Sequence, residues 1–460
     1  MGSKIQLDRD VISEIFRHKI FARNRPQILV SDFKLGLVSK KCFQSLLKTC
    51  DEECRSAEIW HFPKQFKVKC ELNQFISGIE IPESIFLLLN ALHFRELSFG
   101  DDNDQEYLQL LCKLKGYGLE RIHFDWPLRS TNDWERKIEF SNLEHCSEML
   151  RIISESSTSL KELGHVPDHI LERLPQALEL EKLSTRLSTE FVMSFNDSLK
   201  ISAKNVEIYS DQSFYVLSPL LKNINAQTLH LDIKQYLLTE EHDRITVKSQ
   251  LNPNIQRISL VVHNEPLVIP EKIYDIKLFC EDLFSAYPSL NSLEIQDNYT
   301  YDENSSTQTP HDFLHFAAAS IIQHEAQLIK MRDMPITIKL TQVFDAPITS
   351  YYDGFIKEID SLREGAWKDF KVVENDSAAY LEDGEHISLM KSIRVTEEKL
   401  FEIKIYISEK LEYEDYDSDV QREIRADAGL DDDYHYDDGE YYNGDEDDYD
   451  DFYEEDEYGY

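Results

Sequence analysis

The chain of 460 residues is 41% hydrophobic and carries a formal net charge of −38. This length and apolar content predict a folded body with at least one large core. A chain this acidic offers no net positive charge to neutralise phosphate groups, and we therefore expect no nucleic-acid binding. Its negative charge favours basic proteins as partners. No apolar run reaches the roughly 18 residues that a membrane-spanning helix needs, so we also expect no membrane insertion.

The cysteines and the N-terminus predict a cytoplasmic or nuclear location. The 7 cysteines are odd in number and form no C-x-x-C pair, which favours reduced, mostly buried thiols. The opening residues "MGSKIQLDRD" lack the apolar centre of a signal peptide. No G-x-G-x-x-G, G-x-x-x-x-G-K-[ST] or G-x-S-x-G motif occurs, so we expect no nucleotide cofactor and no serine-hydrolase chemistry.

A short strand pattern, apolar-x-x-apolar-x-apolar, recurs between residues 94 and 300. It occurs in "FRELSF", "LERIHF", "LKELGH", "AKNVEI", "AQTLHL", "IQRISL" and "LNSLEI", which start at residues 94, 119, 160, 203, 226, 255 and 290. The pattern is typical of leucine-rich repeats, whose unit of roughly 20–29 residues places a helix after each strand. The two longest gaps can each hide a degenerate repeat. The alternative is an α/β domain whose strand–helix alternation produces similar strings by chance.

These patterns predict an α/β fold with four zones. An irregular leucine-rich-repeat-like domain spans residues 51–300, because a single strand–helix unit cannot cover its own apolar face and must stack on neighbours. In residues 301–410 we expect a cap built from an amphipathic helix, "TPHDFLHFAAASIIQHEAQLIKM", and strands in "MPITIKL" and "KLFEIKIYI". Residues 411–460 hold 23 Asp and Glu against 2 Arg, which predicts a disordered, tyrosine-rich acidic tail.

The first zone, residues 1–50, contains two short apolar helical patterns joined by a basic connector. "LDRDVISEIF" and "LGLVSKKC", followed by a repeat-like domain, resemble the F-box family. That resemblance implies a non-catalytic substrate-recognition subunit of a cullin–RING ubiquitin ligase. Its N-terminal helices would dock the Skp-type adaptor, and its repeat domain would hold a protein substrate, which the sequence does not identify. The alternative is that the two helices simply cap the first repeat.

The sequence departs from the F-box pattern at three places. Asp8 replaces a preferred Pro, Cys42 replaces a preferred Trp, and the connector between Phe16 and Val38 is about eight residues longer than usual. The resemblance implies a contact surface with an apolar centre and lysines at its rim, which would bind the adaptor. The expected adaptor-binding residues are Leu7, Val11, Ile12, Ile15, Phe16, Leu35, Leu37, Val38, Lys40, Lys41 and Phe43.

Two rival functions follow from other segments. His311 and His315 have the spacing of a zinc-binding helix, with Asp312 in the place of a glutamate base and His324 as a further ligand, although the neighbouring apolar residues favour a packing role. We therefore expect no metal and no catalytic residue. The acidic tail, alternatively, could bind histones or other basic proteins. In that respect the chain is similar to acidic leucine-rich nuclear phosphoproteins and histone-binding chaperones, which carry their repeats at the very N-terminus.

Overall fold

The structure is a computed structural model of the chain. It describes residues 8–20, 27–28, 38–53, 56–60, 65–69, 75–78, 94–99, 108, 111–112, 114–124, 143–175, 178–194, 200–234, 251–264, 275–301, 309–348, 360–365, 367–372 and 386–409. The chain divides into two compact units, Met1–Lys410 and Leu411–Tyr460. The second unit corresponds to the expected acidic tail and lies outside the described residues.

The described part of the first unit is mixed α/β, as the sequence predicts. Its helices are α1 (Arg9–Ile20), α2 (Lys40–Glu53), α3 (Leu143–Glu155), α4 (Asp168–Leu171), α5 (Thr189–Ser194), α6 (Phe214–Leu221), α7 (Ile276–Ala286) and α8 (Pro310–Lys330). Its strands are β1 (Gln27–Ile28), β2 (Ser56–Trp60), β3 (Gln65–Lys69), β4 (Phe75–Gly78), β5 (Glu96–Phe99), β6 (Arg121–Phe124), β7 (Glu162–Pro167), β8 (Leu180–Leu187), β9 (Ile201–Ser210), β10 (Ile224–Asn225), β11 (Thr228–Lys234), β12 (Arg257–Asn264), β13 (Ser292–Thr300), β14 (Thr337–Ile348), β15 (Lys371–Val372), β16 (His386–Thr396) and β17 (Lys399–Glu409).

The strands form a large, mostly parallel sheet in which spatial order follows chain order. β2, β5, β6, β7, β8, β9, β11, β12, β13, β14 and β17 lie side by side in that sequence, each parallel to the next. Antiparallel strands occur at the two ends, where β3 lies between β2 and β4 and β16 lies between β17 and β15. Short parallel pairings add β1 to β4 and β10 to β9.

One face of this sheet is buried, and its apolar side chains are in register from strand to strand. The row nearest the start of the strands is Leu97, Ile122, Leu163, Leu183, Val206, Leu229, Ile258, Leu293 and Ile338. All of these residues are buried and belong to one hydrophobic core, which also contains buried residues of α3, α6, α7 and α8. Each buried Leu or Ile contributes roughly 1.5–3 kcal/mol, so the row is a major source of stability.

The sequence predicted most of these elements. The seven repeat-like strings fall in β5, β6, β7, β9, β11, β12 and β13, and "MPITIKL" and "KLFEIKIYI" fall in β14 and β17. The predicted amphipathic helix is α8. β8 lies in the gap between the strings that start at residues 160 and 203, so this gap does contain a further strand. The other long gap includes residues 125–142, which lie outside the described residues.

Candidate functional site

The two N-terminal helical patterns form a pair of helices that run side by side in the same direction. Near the start of each helix, Arg9 Nη2 donates to Gln44 Oε1 at 2.9 Å. Near their ends, Arg17 Nε donates to Glu53 Oε1 at 3.1 Å. The partners are separated by about the same number of residues at both ends, and this fixes the parallel direction. Arg17 also bonds to the side chains of Glu52 and Glu14. The carboxylates of Glu14, Glu52 and Glu53 therefore surround one guanidinium.

A parallel helix pair requires a connector that returns along the whole length of the first helix. The 12 residues of α1 span about 18 Å, at about 1.5 Å per residue. The connector contains β1, which pairs in parallel with β4, with Gln27 opposite Phe75 and Ile28 opposite Ile76. The connector, which is longer than in the F-box pattern, therefore includes a strand that pairs with the sheet.

The buried side of α1 packs within the helix pair. Ile12 and Phe16, four residues apart, are buried and belong to the hydrophobic core together with Leu46 and Cys50 of α2. Residues at this spacing lie on one face of a helix, so the two side chains act together. Ile12 and Phe16 thus hold α1 against its own chain and are not available to a partner protein.

The outer side of α1 exposes an apolar stripe. Val11 and Ile15, again four residues apart, are 47% and 41% exposed. Val38, immediately before α2, is 75% exposed. A β-branched apolar side chain that stays in water loses the roughly 1.5–3 kcal/mol that burial would provide. Val11 and Ile15 therefore form a small apolar patch on one face of α1 that a partner could cover, and Val38 is a further exposed apolar residue on the second segment with F-box resemblance.

The remaining expected contact residues divide between the surface and undescribed positions. Lys40 is exposed, and Lys41 and Phe43 are half-buried. Leu7, Leu35 and Leu37 lie outside the described residues. The expected contact set thus has Val11, Ile15, Val38 and Lys40 facing outward, Ile12 and Phe16 facing inward, and Lys41 and Phe43 between the two.

α2 begins later than the "LGLVSKKC" pattern suggests. Its first residue is Lys40, and the Ser39 hydroxyl accepts a hydrogen bond from the backbone N–H of Cys42 at 3.1 Å. A serine that bonds the N–H three residues on is a helix N-cap, which satisfies a donor that the helix itself cannot pair. Val38 therefore lies outside the helix, and its side chain is held away from the helix core.

The second candidate surface is the face of the parallel sheet opposite the buried core. Where the strands begin, the charge changes sign from one strand to the next through Arg95, Glu120, Lys161, Glu181 and Lys204. The Lys161 ammonium lies 3.0 Å from a Glu120 carboxylate oxygen. Opposite charges on neighbouring strands favour this register, because a shift would bring like charges together. These opposite charges therefore favour the observed pairing of neighbouring strands.

A bulge in β7 changes the polar face near its centre. The pairing of β7 with β8 shifts between Leu163 and Val166, and His165 in this interval has a φ of 52°. Its backbone N–H donates to the Ser184 hydroxyl at 2.8 Å. Gly164 is required beside it, because a Cβ there would lie 2.1 Å from Nδ1 of His123. Bulges redirect side chains and are frequent beside functional sites.

Tyr209 lies at the centre of the polar face, close to this bulge. Its ring centroid is 5.6 Å from that of His165, and β-sheet register places it between Arg186 and Asp232. Tyr209 is half-buried, and its pKa is raised because burial disfavours the phenolate and because the carboxylates of Glu207 and Asp232 lie nearby. The phenol thus lies among both acidic and basic side chains, with Arg186 opposite it on β8 and Asp232 opposite it on β11.

The two carboxylates beside Tyr209 each have a cationic or imidazole neighbour. The Lys182 ammonium lies 3.0 Å from Glu207 Oε1. His263 Nε2 lies 3.1 Å from Asp232 Oδ1. Because these pairs are only partly buried, each contributes little to stability, and exchange for another cation costs little.

The zinc-like histidines do not form a metal site. His311 and His315 lie side by side on the exposed surface of α8, with ring centroids 4.3 Å apart, whereas His324 is buried. Asp312 forms a capping box with Thr309, whose backbone N–H donates to its carboxylate at 3.0 Å. Among the residues that the structure describes, no group of three or more His, Cys, Asp or Glu is placed to hold a metal ion.

A cluster that sequence reasoning did not find joins α3 to α4. His169 bonds to Cys146, and its Nδ1 lies 3.5 Å from Asp168 Oδ1. The Ser188 hydroxyl donates to the other Asp168 oxygen at 2.6 Å. Burial lowers the pKa of His169, but the hydrogen bonds with Asp168 and Cys146 outweigh it and raise this pKa to about 9. The Cys146 thiol is buried, and its bond to His169 joins α3 to α4.

Comparison with known proteins gives no assignment. The chain matches no protein-family model, no curated protein and no solved structure. Within the described ranges, the helices are all too short or too polar to cross a bilayer. The function must therefore be argued from the two surfaces themselves.

Proposed function

We propose that the chain is a non-catalytic substrate receptor of a cullin–RING ubiquitin ligase, in which the α1–α2 pair docks a Skp-type adaptor. The observation that carries this proposal is the division of α1 into two apolar faces. Ile12 and Phe16 fix the helix to its own chain, while Val11 and Ile15 remain partly exposed on the adjacent face, about 100° around the helix. Apolar side chains that cluster on an exposed helix face are typical of surfaces that bind another polypeptide.

We further propose that the large parallel sheet is an irregular leucine-rich-repeat-like solenoid. In its support, consecutive strands are spatial neighbours, they are parallel, and their buried residues align from one strand to the next. Stacked repeats have this order, because each unit contacts the units before and after it. The polar face of the sheet would then be the surface that holds the substrate.

The mechanism of such a receptor is proximity. The helix pair binds the adaptor, and the sheet holds a protein substrate within reach of the E2 enzyme carried elsewhere in the complex. Tethering raises the effective concentration of the substrate at that enzyme, without any chemical step on this chain. The pairing of β1 with β4 suits this role, because it joins the adaptor-binding helices to the sheet.

Co-purification tests the proposal. We expect the full-length chain to recover a Skp-type adaptor, and we expect Val11→Asp and Val38→Asp each to abolish this recovery. A chain that ends at residue 410 should recover the adaptor as well as the full-length chain does. Recovery that survives both substitutions would contradict the proposal.

The same experiment distinguishes the alternative, a scaffold that binds histones or other basic proteins through its tail. That function is favoured by the 23 acidic residues of positions 411–460. If it is correct, truncation at residue 410 removes the main partner and the helix substitutions have no effect.

A further inference from the structure

We propose that the polar face of the sheet binds a lysine- or arginine-rich segment of the substrate, centred on Tyr209. This inference rests on the proposed function, because it names the class of substrate that the receptor would hold. Tyr209 is half-buried in the middle of the parallel series, on β9, with Asp232 opposite it on the next strand and Glu207 two residues before it.

The first argument is the chemistry at Tyr209. An aromatic ring with two carboxylates beside it offers a cation both the face of the ring and carboxylate oxygens. Burial, followed by the charges of Glu207 and Asp232, raises the pKa of Tyr209, so the ring is held in its neutral phenol form. His165, held by the β7 bulge with its ring 5.6 Å away, provides a second flat ring beside the first.

The second argument is that the site can exchange its present partners. Lys182 and His263 already contact Glu207 and Asp232 at 3.0 and 3.1 Å, which shows that these carboxylates take cationic or imidazole groups from the same face. Both pairs are partly exposed, so a cation from another chain can replace them at little cost.

The third argument is the charge of the whole molecule. With a net charge of −38, the chain attracts basic proteins at long range and repels acidic ones. The polar face offers side chains at fixed spacing, which can distinguish one basic segment from another.

The test is a binding titration of the full-length chain with a fluorescein-labelled peptide of alternating Lys-Gly and Arg-Ser units. A peptide with Glu in place of Lys and Arg is the second probe. Asp232→Asn and Tyr209→Ala remove parts of the site. Glu294→Gln is the matched control, because Glu294 lies on the same face, is paired with Lys339 at 3.1 Å and loses the same charge.

We expect Asp232→Asn and Tyr209→Ala each to weaken binding of the basic peptide by about tenfold, within the range of cation–π contacts, and Glu294→Gln to change it less than about twofold. The acidic peptide should not bind. Equal affinities for all three variants would mean that the tail alone captures the peptide, and equal losses in Asp232→Asn and Glu294→Gln would mean that only net charge matters. Either result would overturn the inference.

Adaptor recovery in the same preparations separates this inference from the proposed function. Variants of the polar face should still recover the adaptor. Loss of the peptide with the adaptor retained supports the substrate surface, whereas a chain that never recovers the adaptor contradicts the receptor function whatever the peptide does. Thermal unfolding of Asp232→Asn, which preserves side-chain shape, confirms that a loss of peptide binding is not a loss of folding.

Discussion

Lys399 stands directly opposite Ile338 where β17 pairs with β14, and thereby takes the next position in the buried apolar row of the sheet. Its side chain is fully buried, and its ammonium donates to the backbone carbonyls of Met334 and Ile336 at 2.8 and 2.9 Å. These carbonyls belong to the turn that leads from α8 into β14. The apolar row thus ends in a charged residue, whose ammonium is hydrogen-bonded to the backbone carbonyls just before β14.

Replacing Lys399 tests this role. We expect Lys399→Met, which preserves length and adds apolar character, to lower the free energy of unfolding by about 1–3 kcal/mol, because two buried carbonyls lose their donor. Lys391→Met is the matched control, since Lys391 lies on β16 with a 3.9 Å contact to Asp369, its ammonium lies 5.6 Å from the centroid of the Phe370 ring, and among the described residues no buried carbonyl accepts a hydrogen bond from it. Denaturant unfolding of both variants measures the difference. Equal stabilities of the two variants would show that the buried hydrogen bonds contribute nothing.

Gly164 and His123 should be coupled. A Cβ at residue 164 would lie 2.1 Å from Nδ1 of His123, so we expect Gly164→Ala to cost about 1–3 kcal/mol of stability through overpacking. His123→Ala should restore most of this loss, because it removes the clashing ring. A double-mutant cycle measures the coupling directly.

Gly116 is the control for the Gly164–His123 double-mutant cycle. A Cβ there would meet the backbone oxygen of Ile152 at 2.1 Å, and no side-chain deletion can relieve that contact. We expect Gly116→Ala to be destabilised with or without His123→Ala. If His123→Ala fails to rescue Gly164→Ala, the predicted clash is not the reason for the glycine.

The His169 cluster should make stability depend on pH. The pKa of His169 is raised from 6.5 to about 9 in the folded chain, so its protonated form is favoured by folding. This contribution is complete below pH 6.5 and is lost as the pH rises through about 9. We therefore expect the stability difference between wild type and His169→Asn to shrink over this interval, measured by denaturant unfolding at several pH values. A difference that grows with pH would contradict the account.

The sequence predicted strands well where the repeat pattern is intact. It missed β8, whose string "LEKLSTRL" has Thr185 at a position where the pattern requires an apolar residue. Thr185 is nevertheless fully buried, because its hydroxyl donates to the carbonyl of Val166 at 2.7 Å. A buried polar residue whose hydroxyl is hydrogen-bonded to a bulged neighbouring strand cannot be recognised from a pattern of apolar residues.

The candidate surfaces differ in how far sequence can predict them. Val11 and Ile15 are recognisable because helical spacing is local, although the separation of exposed from buried residues required the position of α2. The surface around Tyr209 depends on His165 and Asp232, which lie on β7 and β11, so it exists only once the strands have stacked in register. Short-range patterns contain no signal for such a site.

The central claim is that the exposed face of α1 binds an adaptor, and the most direct measurement is the affinity of purified Skp-type adaptor for the full-length chain. We compare wild type with Val11→Asp and Ile15→Asp. Ile322→Asp is the matched control, because Ile322 on α8 is 64% exposed and also apolar. Thermal unfolding of all four proteins checks that each variant remains folded, because Val11 and Ile15 are 47% and 41% exposed and therefore also pack partly against their own chain.

The account predicts that Val11→Asp and Ile15→Asp each reduce adaptor affinity at least tenfold, about 1.4 kcal/mol, whereas Ile322→Asp binds as wild type does. Undiminished affinity in both α1 variants, or no binding of the adaptor by the wild-type chain, would contradict it.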